Sequence, residues 1–367
     1  MKKKIILAFG TRPEAIKFAP LYALLKNHES FEPVVCVTSQ HKELLKQVLD
    51  FFNISVDFDL SLMKKDQDLN ELNSNIISGF NKILDKVEPY YVLVQGDTNS
   101  AMCCALAAFY KKIRIGHIEA GLRTFNKLSP FPEEVNRCLI SQIANDHFAP
   151  TRVAENNLLT DGINPKSIFL TGNTVIDALK MALDKLDIID PKNLSDSQRL
   201  KKDKILITLH RRENFGKSHK DILEGLNSLS ENFKEFTFLF PVHPNPNIRS
   251  QVEKILKPRE NIKIVDPLDY GSFITEMSKA YLVISDSGGI QEEAPSFRIP
   301  VLVTRETTER PEGISNGTSI LIKDKKSLIE SFSQLVREKD DYLKIGNKDN
   351  PFGNGDASLK IIENIHE

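Results

Sequence analysis

The run Ile5-Ile6-Leu7-Ala8-Phe9-Gly10-Thr11-Arg12-Pro13-Glu14 holds a buried strand, a tight turn and the start of a helix within ten residues. Five apolar residues without alternation read as a strand covered on both faces, as in a parallel sheet. Glycine permits the turn, and Pro13 suits the first helical turn, where its missing N–H costs nothing. The rhythm repeats outward. Strands are predicted over 34–38, 91–95 and 113–118, alternating with helices over 14–27, 42–51, 69–87 and 100–110. Phe148 and 168–170 continue the pattern more weakly. After a polar stretch at 191–203, a second series begins, with strands over 204–209, 236–241, 262–265, 281–285 and 301–303. Its helices fall at 217–230, 247–256, 271–279 and 289–297, and amphipathic segments at 325–338 and 358–366 close the chain. Strands and helices alternating in this way predict an α/β fold of two Rossmann-like, doubly wound domains facing a cleft.

Composition agrees with two ordinary globular domains. The 367 residues exceed what one core holds at about 150 residues per domain. With 49 Lys+Arg against 50 Asp+Glu, the net charge is −1, which argues against nonspecific nucleic-acid binding. The apolar start after Lys2–Lys4 stops at Gly10, too short for a secretory h-region, and no stretch reaches the ~20 apolar residues of a membrane span. Cys36, Cys103, Cys104 and Cys138 include no CxxC pair and read as buried thiols of a cytoplasmic protein rather than as a zinc site.

The chemistry-bearing runs sit where predicted strands end. Gly10-Thr11-Arg12-Pro13-Glu14 adds a guanidinium to a helix N-terminus, a natural anion site, although a plain βα turn fits the spacing as well. It is not GxGxxG, so a dinucleotide fingerprint is absent. Asp97 in Gln95-Gly96-Asp97-Thr98 and Glu119 in His117-Ile118-Glu119-Ala120-Gly121-Leu122-Arg123 each close a strand. Glu133 and Glu134 open a helix after Pro130-Phe131-Pro132, where capping alone would also account for them. Together these carboxylates point to proton transfer at one edge of one sheet. In the second half, His210-Arg211-Arg212 suits a diphosphate, with a solvated basic loop as the alternative. His243 is a further strand-end histidine. Ser285-Asp286-Ser287-Gly288-Gly289 followed by Glu293 reads as a cradle of backbone N–H groups with a carboxylate one turn behind, able to accept from a ribose diol. Thr307-Thr308-Glu309-Arg310 would line the same site.

Taken in order, these runs closely resemble the bacterial non-hydrolysing UDP-N-acetylglucosamine 2-epimerases, from Phe9-Gly10-Thr11-Arg12-Pro13-Glu14-Ala15-Ile16-Lys17 to Asn350-Pro351-Phe352-Gly353-Asn354-Gly355. The resemblance implies a glycosyltransferase-B-like fold, with a sugar-side domain over 1–171 completed by a helix over 355–367, and a UDP-binding domain over 172–354. It implies interconversion of UDP-N-acetylglucosamine and UDP-N-acetylmannosamine by elimination of UDP to 2-acetamidoglucal and re-addition, without NAD or a catalytic metal. Asp97, Glu119, Glu133 and His210 match the family's catalytic positions. Arg12, Lys17, Arg137, His210, Arg211, Phe273, Ser287, Gly288, Gly289, Glu293 and Arg310 match its substrate and UDP contacts. A homodimer supplying amino sugars for surface polysaccharide is the implied context. A related UDP-amino sugar as substrate, or a hydrolysing relative releasing N-acetylmannosamine, is the alternative; a glycosyltransferase of the same fold would leave the carboxylates unexplained.

Several members of that family also bind a second UDP-N-acetylglucosamine beside the active site. The resemblance sets that site on Gln40, Glu43, Asp66, Glu134 and His243. Glu43 and Asp66 fall where members carry glutamine and arginine, so weaker activation by substrate is expected here. Lys42, Lys64 and Lys65 act in the opposite sense.

Overall fold

The structure is a computed structural model that describes residues 2–38, 42–62, 67–209, 217–242, 246–305 and 308–365. The chain divides into two compact units, Met1–Met181 with Phe352–Glu367, and Ala182–Pro351. The first division lies ten residues beyond the 171/172 expected from sequence, inside one helix.

The first unit runs β1 (Lys3–Phe9), α1 (Arg12–Lys26), β2 (Phe31–Val37), α2 (Lys42–Phe52), β3 (Phe58–Asp59), α3 (Leu69–Val87) and β4 (Tyr91–Gln95). It continues α4 (Asn99–Tyr110), β5 (Arg114–Ile118), α5 (Glu133–Ile143), β6 (Asp146–Ala149), α6 (Arg152–Thr160), β7 (Ile168–Leu170) and α7 (Thr174–Lys185), which carries the chain across the division. The second unit holds α8 (Asp196–Leu200), β8 (Lys204–Thr208), α9 (Lys217–Asn232), β9 (Thr237–Pro241), α10 (Pro246–Ile255), β10 (Ile262–Val265) and α11 (Tyr270–Ser278). β11 (Ala280–Ser285), α12 (Gly288–Glu293), β12 (Val301–Val303), α13 (Pro311–Asn316), β13 (Ser319–Leu321), α14 (Lys325–Arg337) and α15 (Lys339–Gly346) complete it. α16 (Ala357–Glu363) returns to the first unit and packs on α1.

Both sheets are parallel and doubly wound, in the orders β3-β2-β1-β4-β5-β6-β7 and β10-β9-β8-β11-β12-β13. In each, winding reverses once, between β1 and β4 and between β8 and β11. Such a reversal leaves the carboxyl ends of two neighbouring strands uncovered, which is where ligands of this fold class bind. Ile5 to Phe9 are fully buried, as their unalternating pattern predicts.

Three details depart from the sequence reading. β2 begins at Phe31 rather than 34. Pro33, paired with Ile5, lacks an N–H, but β3 adjoins only Cys36 and Val37, so the missing donor faces no strand. The helix predicted over 289–297 ends at Glu293 and continues as a 3₁₀ turn over Ala294–Phe297, because Pro295 supplies no donor for the α ladder. Cys36, Cys103 and Cys104 are buried, but Cys138 is only half-buried. Burial pushes the Cys36 and Cys103 thiols up to about 12, so both stay protonated and inert. Among the described residues, no helix is long and apolar enough to cross a membrane.

Each sheet has its own core. In the second unit, Phe332 of α14 is fully buried, with ring centroids 5.0, 5.9 and 6.0 Å from those of Phe233, Phe236 and Phe238. Truncation there leaves a void ringed by aromatics that cannot collapse together. Phe332→Ala should cost about 3–5 kcal/mol, read as a lower urea midpoint with an unchanged slope.

Candidate active site

In the first unit, the turns after β1 and β4 meet across the winding reversal. Gly10 has no room for a side chain: a Cβ would lie 2.2 Å from Thr38 Oγ1 and 2.4 Å from Ser100 Oγ, which hydrogen-bond each other at 2.7 Å. Behind this turn the Glu14 carboxylate is 2% exposed and accepts four hydrogen bonds, from Gly10 N (3.0 Å), Thr11 N (2.8 Å), Thr11 Oγ1 (2.7 Å) and Thr98 Oγ1 (2.7 Å). Thr98 in turn accepts from Ala101 N at the start of α4. One carboxylate therefore joins the turn that presents Arg12 to the turn that presents Asp97. Burial pushes the Glu14 carboxyl up in pKa against these hydrogen bonds, which pull it down. Arg12 is half-buried at the head of α1.

Asp97 is paired with Arg137 of α5, and Asn136 Nδ2 donates to the Asp97 carbonyl at 2.9 Å. Glu119, just past β5, adopts φ 62°, a conformation that costs a non-glycine residue of order 1 kcal/mol. Its buried carboxylate is held by Lys17 Nζ at 2.6 Å, by Gln95 Nε2, and by Asn173 Nδ2 at 3.4 Å. Two desolvated charges are stable only when paired and further hydrogen-bonded, as here. Glu133 opens α5, half-buried. Glu134 is 2% exposed and accepts from Thr124 N (3.0 Å) and Phe125 N (2.9 Å), with Arg137 at 3.3 Å.

In the second unit, β11 ends at Ser285, whose Oγ bonds Thr208 Oγ1 at 2.6 Å and accepts from Ser287 N at 3.0 Å. A Cβ on Gly288 would sit 2.5 Å from the Arg310 guanidinium, so glycine there lets the cation lie over the turn; Gly289 faces open space. Arg310 is oriented by Glu292 (2.6 Å) and Glu309 (2.9 Å), and Glu309 also holds Arg305 (2.6 Å). Glu293 is buried and accepts from Tyr270 OH at 3.2 Å, while Phe273 lies half-buried one turn along α11. His210, Arg211, Gln40, Asp66 and His243 lie outside the described residues. Glu43, in the first turn of α2, is exposed.

The structure thus brings Lys17, Glu119, Asp97 and Arg137 to one edge of the first sheet, and Ser287, Gly288, Arg310 and Glu293 to one edge of the second. Gln95 and Asn173 join the first set without having been singled out in the sequence. Both are amides, whose only signal was position at the end of a predicted strand (Gln95) or three residues past one (Asn173).

Two tandem doubly wound parallel sheets, one edged by paired acids and the other by a glycine turn under an arginine, define the glycosyltransferase-B-like class. The UDP-N-acetylglucosamine 2-epimerase family model matches residues 23–366, and the chain belongs to that family. It is 46% identical over 371 residues to the UDP-N-acetylglucosamine 2-epimerase of Neisseria meningitidis, covering 99% of both chains. It is 43% identical to the enzyme of that name from Escherichia coli K12, covering 98% of this chain and 97% of that one. A crystal structure of the Neisseria meningitidis UDP-GlcNAc 2-epimerase bound to UDP-GlcNAc superposes with a TM-score of 0.91 over 98% of each chain. The Methanocaldococcus jannaschii UDP-GlcNAc 2-epimerase, in complex with UDP-GlcNAc and UDP, is 34% identical with a TM-score of 0.82 over 99% of each.

One buried group behind this edge has a readable signature. His117, on β5, is fully buried; its Nε2 lies 2.8 Å from the Gly96 carbonyl and must carry the proton. Burial pushes its pKa down to about 3, outweighing that hydrogen bond. An unfolded imidazole takes a proton below about 6.5, whereas this one stays neutral to about 3. The native state therefore loses stability as pH falls through that window. His117→Gln should flatten the melting-temperature curve between pH 6.5 and 3 relative to wild type, measured by circular dichroism.

Proposed function

We propose that the protein is a non-hydrolysing UDP-N-acetylglucosamine 2-epimerase that interconverts UDP-N-acetylglucosamine and UDP-N-acetylmannosamine. The first unit handles the sugar and the second holds the nucleotide. The observation that carries this reading is the pair of acids at one sheet edge, Asp97 with Arg137 and Glu119 with Lys17, in a chain of this family. C2 of the substrate bears an acetamido group with no adjacent carbonyl, so its proton is not acidic in the usual way. Elimination resolves this. The C2–H bond breaks to a base, the C1–O bond breaks to UDP, and 2-acetamidoglucal remains. Protonation of C2 on the opposite face and return of the diphosphate oxygen to C1 give the epimer. The sequence needs acids on both faces and cations around the leaving diphosphate.

Asp97, Glu119 and Glu133 are assigned to the proton transfers, with His210 beside them. Lys17 and Gln95 hold Glu119, and Arg137 orients Asp97. Arg12, Arg211 and Arg310 neutralise the diphosphate, with Ser287, Gly288 and Gly289 offering backbone donors. Glu293 accepts from the ribose and Phe273 stacks on uracil. A cytoplasmic homodimer is part of the same proposal.

In deuterated water, NMR should show deuterium entering C2 of both epimers and no other sugar carbon; retention of the C2 hydrogen would favour hydride transfer instead, and free N-acetylmannosamine would mark a hydrolase. Asp97→Asn, Glu119→Gln and Glu133→Gln should each lower turnover by a factor on the order of 10² or more. Arg12→Ala and Glu293→Ala should instead weaken UDP binding by roughly 1–3 kcal/mol each, measured by calorimetry.

For the second nucleotide-sugar site, the acidic Glu43 and Asp66 lead us to expect turnover of pure UDP-N-acetylmannosamine without added UDP-N-acetylglucosamine. An absolute requirement for a trace of the latter would mean that these acids leave the second site intact.

A further inference from the structure

Asn173 stands at a junction that the chemistry above does not use. It is 3% exposed and lies between Gly172, at φ 89°, and the first turn of α7, through which the chain passes to the second unit. Its N–H donates to the Phe352 carbonyl at 2.8 Å, the point where the returning chain rejoins the first unit. Gly353, at φ 126°, packs so closely that a Cβ on it would lie 3.3 Å from Gly172 Cα. Outgoing and returning segments therefore touch at Gly172-Asn173 and Phe352-Gly353. The Asn173 side chain faces two ways: Oδ1 accepts from Val175 N at 3.1 Å at the head of α7, and Nδ2 donates to Glu119 Oε1 at 3.4 Å. That oxygen is the one Lys17 grips at 2.6 Å.

We propose that Asn173 is a positioning residue that ties the Glu119 carboxylate to the paired segments by which the chain leaves and re-enters the first unit. An amide is the side chain the place requires. Its oxygen caps a helix, its nitrogen serves a carboxylate, and an amide cannot exchange these roles by titrating. Lys17 on α1 and Gln95 at the end of β4 fix Glu119; Asn173 alone among these three partners belongs to the crossing. Displacing the crossing would lengthen or shorten the Nδ2 contact and so turn the carboxylate against Lys17. Lys17 from α1 pairs with Glu119 and His117 from β5 lies within its electrostatic reach, and neither is on the crossing.

This inference rests on Glu119 acting in the reaction, and the test separates the two. Asn173→Asp keeps the oxygen that caps α7 but sets a second carboxylate beside Glu119, disfavouring the ionised form. Its melting temperature and UDP affinity should stay near wild type, kcat should fall on the order of tenfold, and the limb of the kcat/KM pH profile that Glu119 controls should move to higher pH. Asn173→Ser, which also keeps a capping oxygen but adds no charge, should lower kcat and leave KM in place. Asp177→Asn is the structural control: its carboxylate caps α16 through Ser358 N (2.8 Å) and Ala357 N (3.3 Å), so its loss should lower the melting temperature without moving the pH profile. Asn173 variants that reproduce the control, or that keep wild-type kcat and profile, would overturn the inference while an inactive Glu119→Gln leaves the reading of the site standing. A fully active Glu119→Gln would remove both.

Discussion

The buried ion pair between Lys17 and Glu119 constrains everything around it. A carboxylate and an ammonium taken out of water each lose hydration worth several kcal/mol, and their attraction compensates only if geometry is fixed and the remaining lone pairs are filled. Lys17 comes from α1, Glu119 from the end of β5, and Gln95 from the end of β4. They converge only if β1, β4 and β5 are adjacent and in register, as they are across the winding reversal. The pair thus makes the sheet order a condition of its own stability. It also explains why Glu119 sits in a left-handed conformation: an extended residue there would carry the chain on along the strand rather than turn its carboxylate toward Lys17.

The two units answer the same topological opening with different chemistry. In the first, carboxylates at the strand ends are held by cations, Glu119 by Lys17 and Asp97 by Arg137. In the second, the cation lies over the turn and the acids stand behind it. Glu292 and Glu309 orient Arg310 across Gly288, where any larger residue would displace the guanidinium. The order of charge at the two strand-end openings is thus inverted.

Much of this was legible in the sequence, and the illegible part has a pattern. Unalternating apolar runs such as 5–9 and 91–95 announced parallel strands because burial on both faces leaves no other composition. Asp97 and Glu119 could be picked out because a charge within two residues of the end of such a run sits at the sheet edge. The two-residue edge strand β3 could not, since two residues carry no period. Gln95 and Asn173 were hidden for another reason. An amide is uncharged and common at turns, so its importance depends on which carboxylate lies opposite, and those partners are 24 and 54 residues away. Glu14, which the sequence marks only as the first residue of a helix, is the bracket between two turns.

The adjacent acids Glu133 and Glu134 show why residue type and place in sequence do not fix a role. Both open α5, and both profit from the helix N-terminus. Successive helical residues point about 100° apart, so the two side chains meet different surroundings. Glu134 closes the loop at Thr124 and Phe125 and meets Arg137 one turn on. Replacing it would orphan two backbone N–H groups and leave Arg137 with Asp97 as its remaining carboxylate partner among these acids. Arg137 then has a divided duty. Its charge is engaged on two sides, by Asp97 and by Glu134, so one guanidinium fixes a carboxylate from the turn after β4 and one from its own helix.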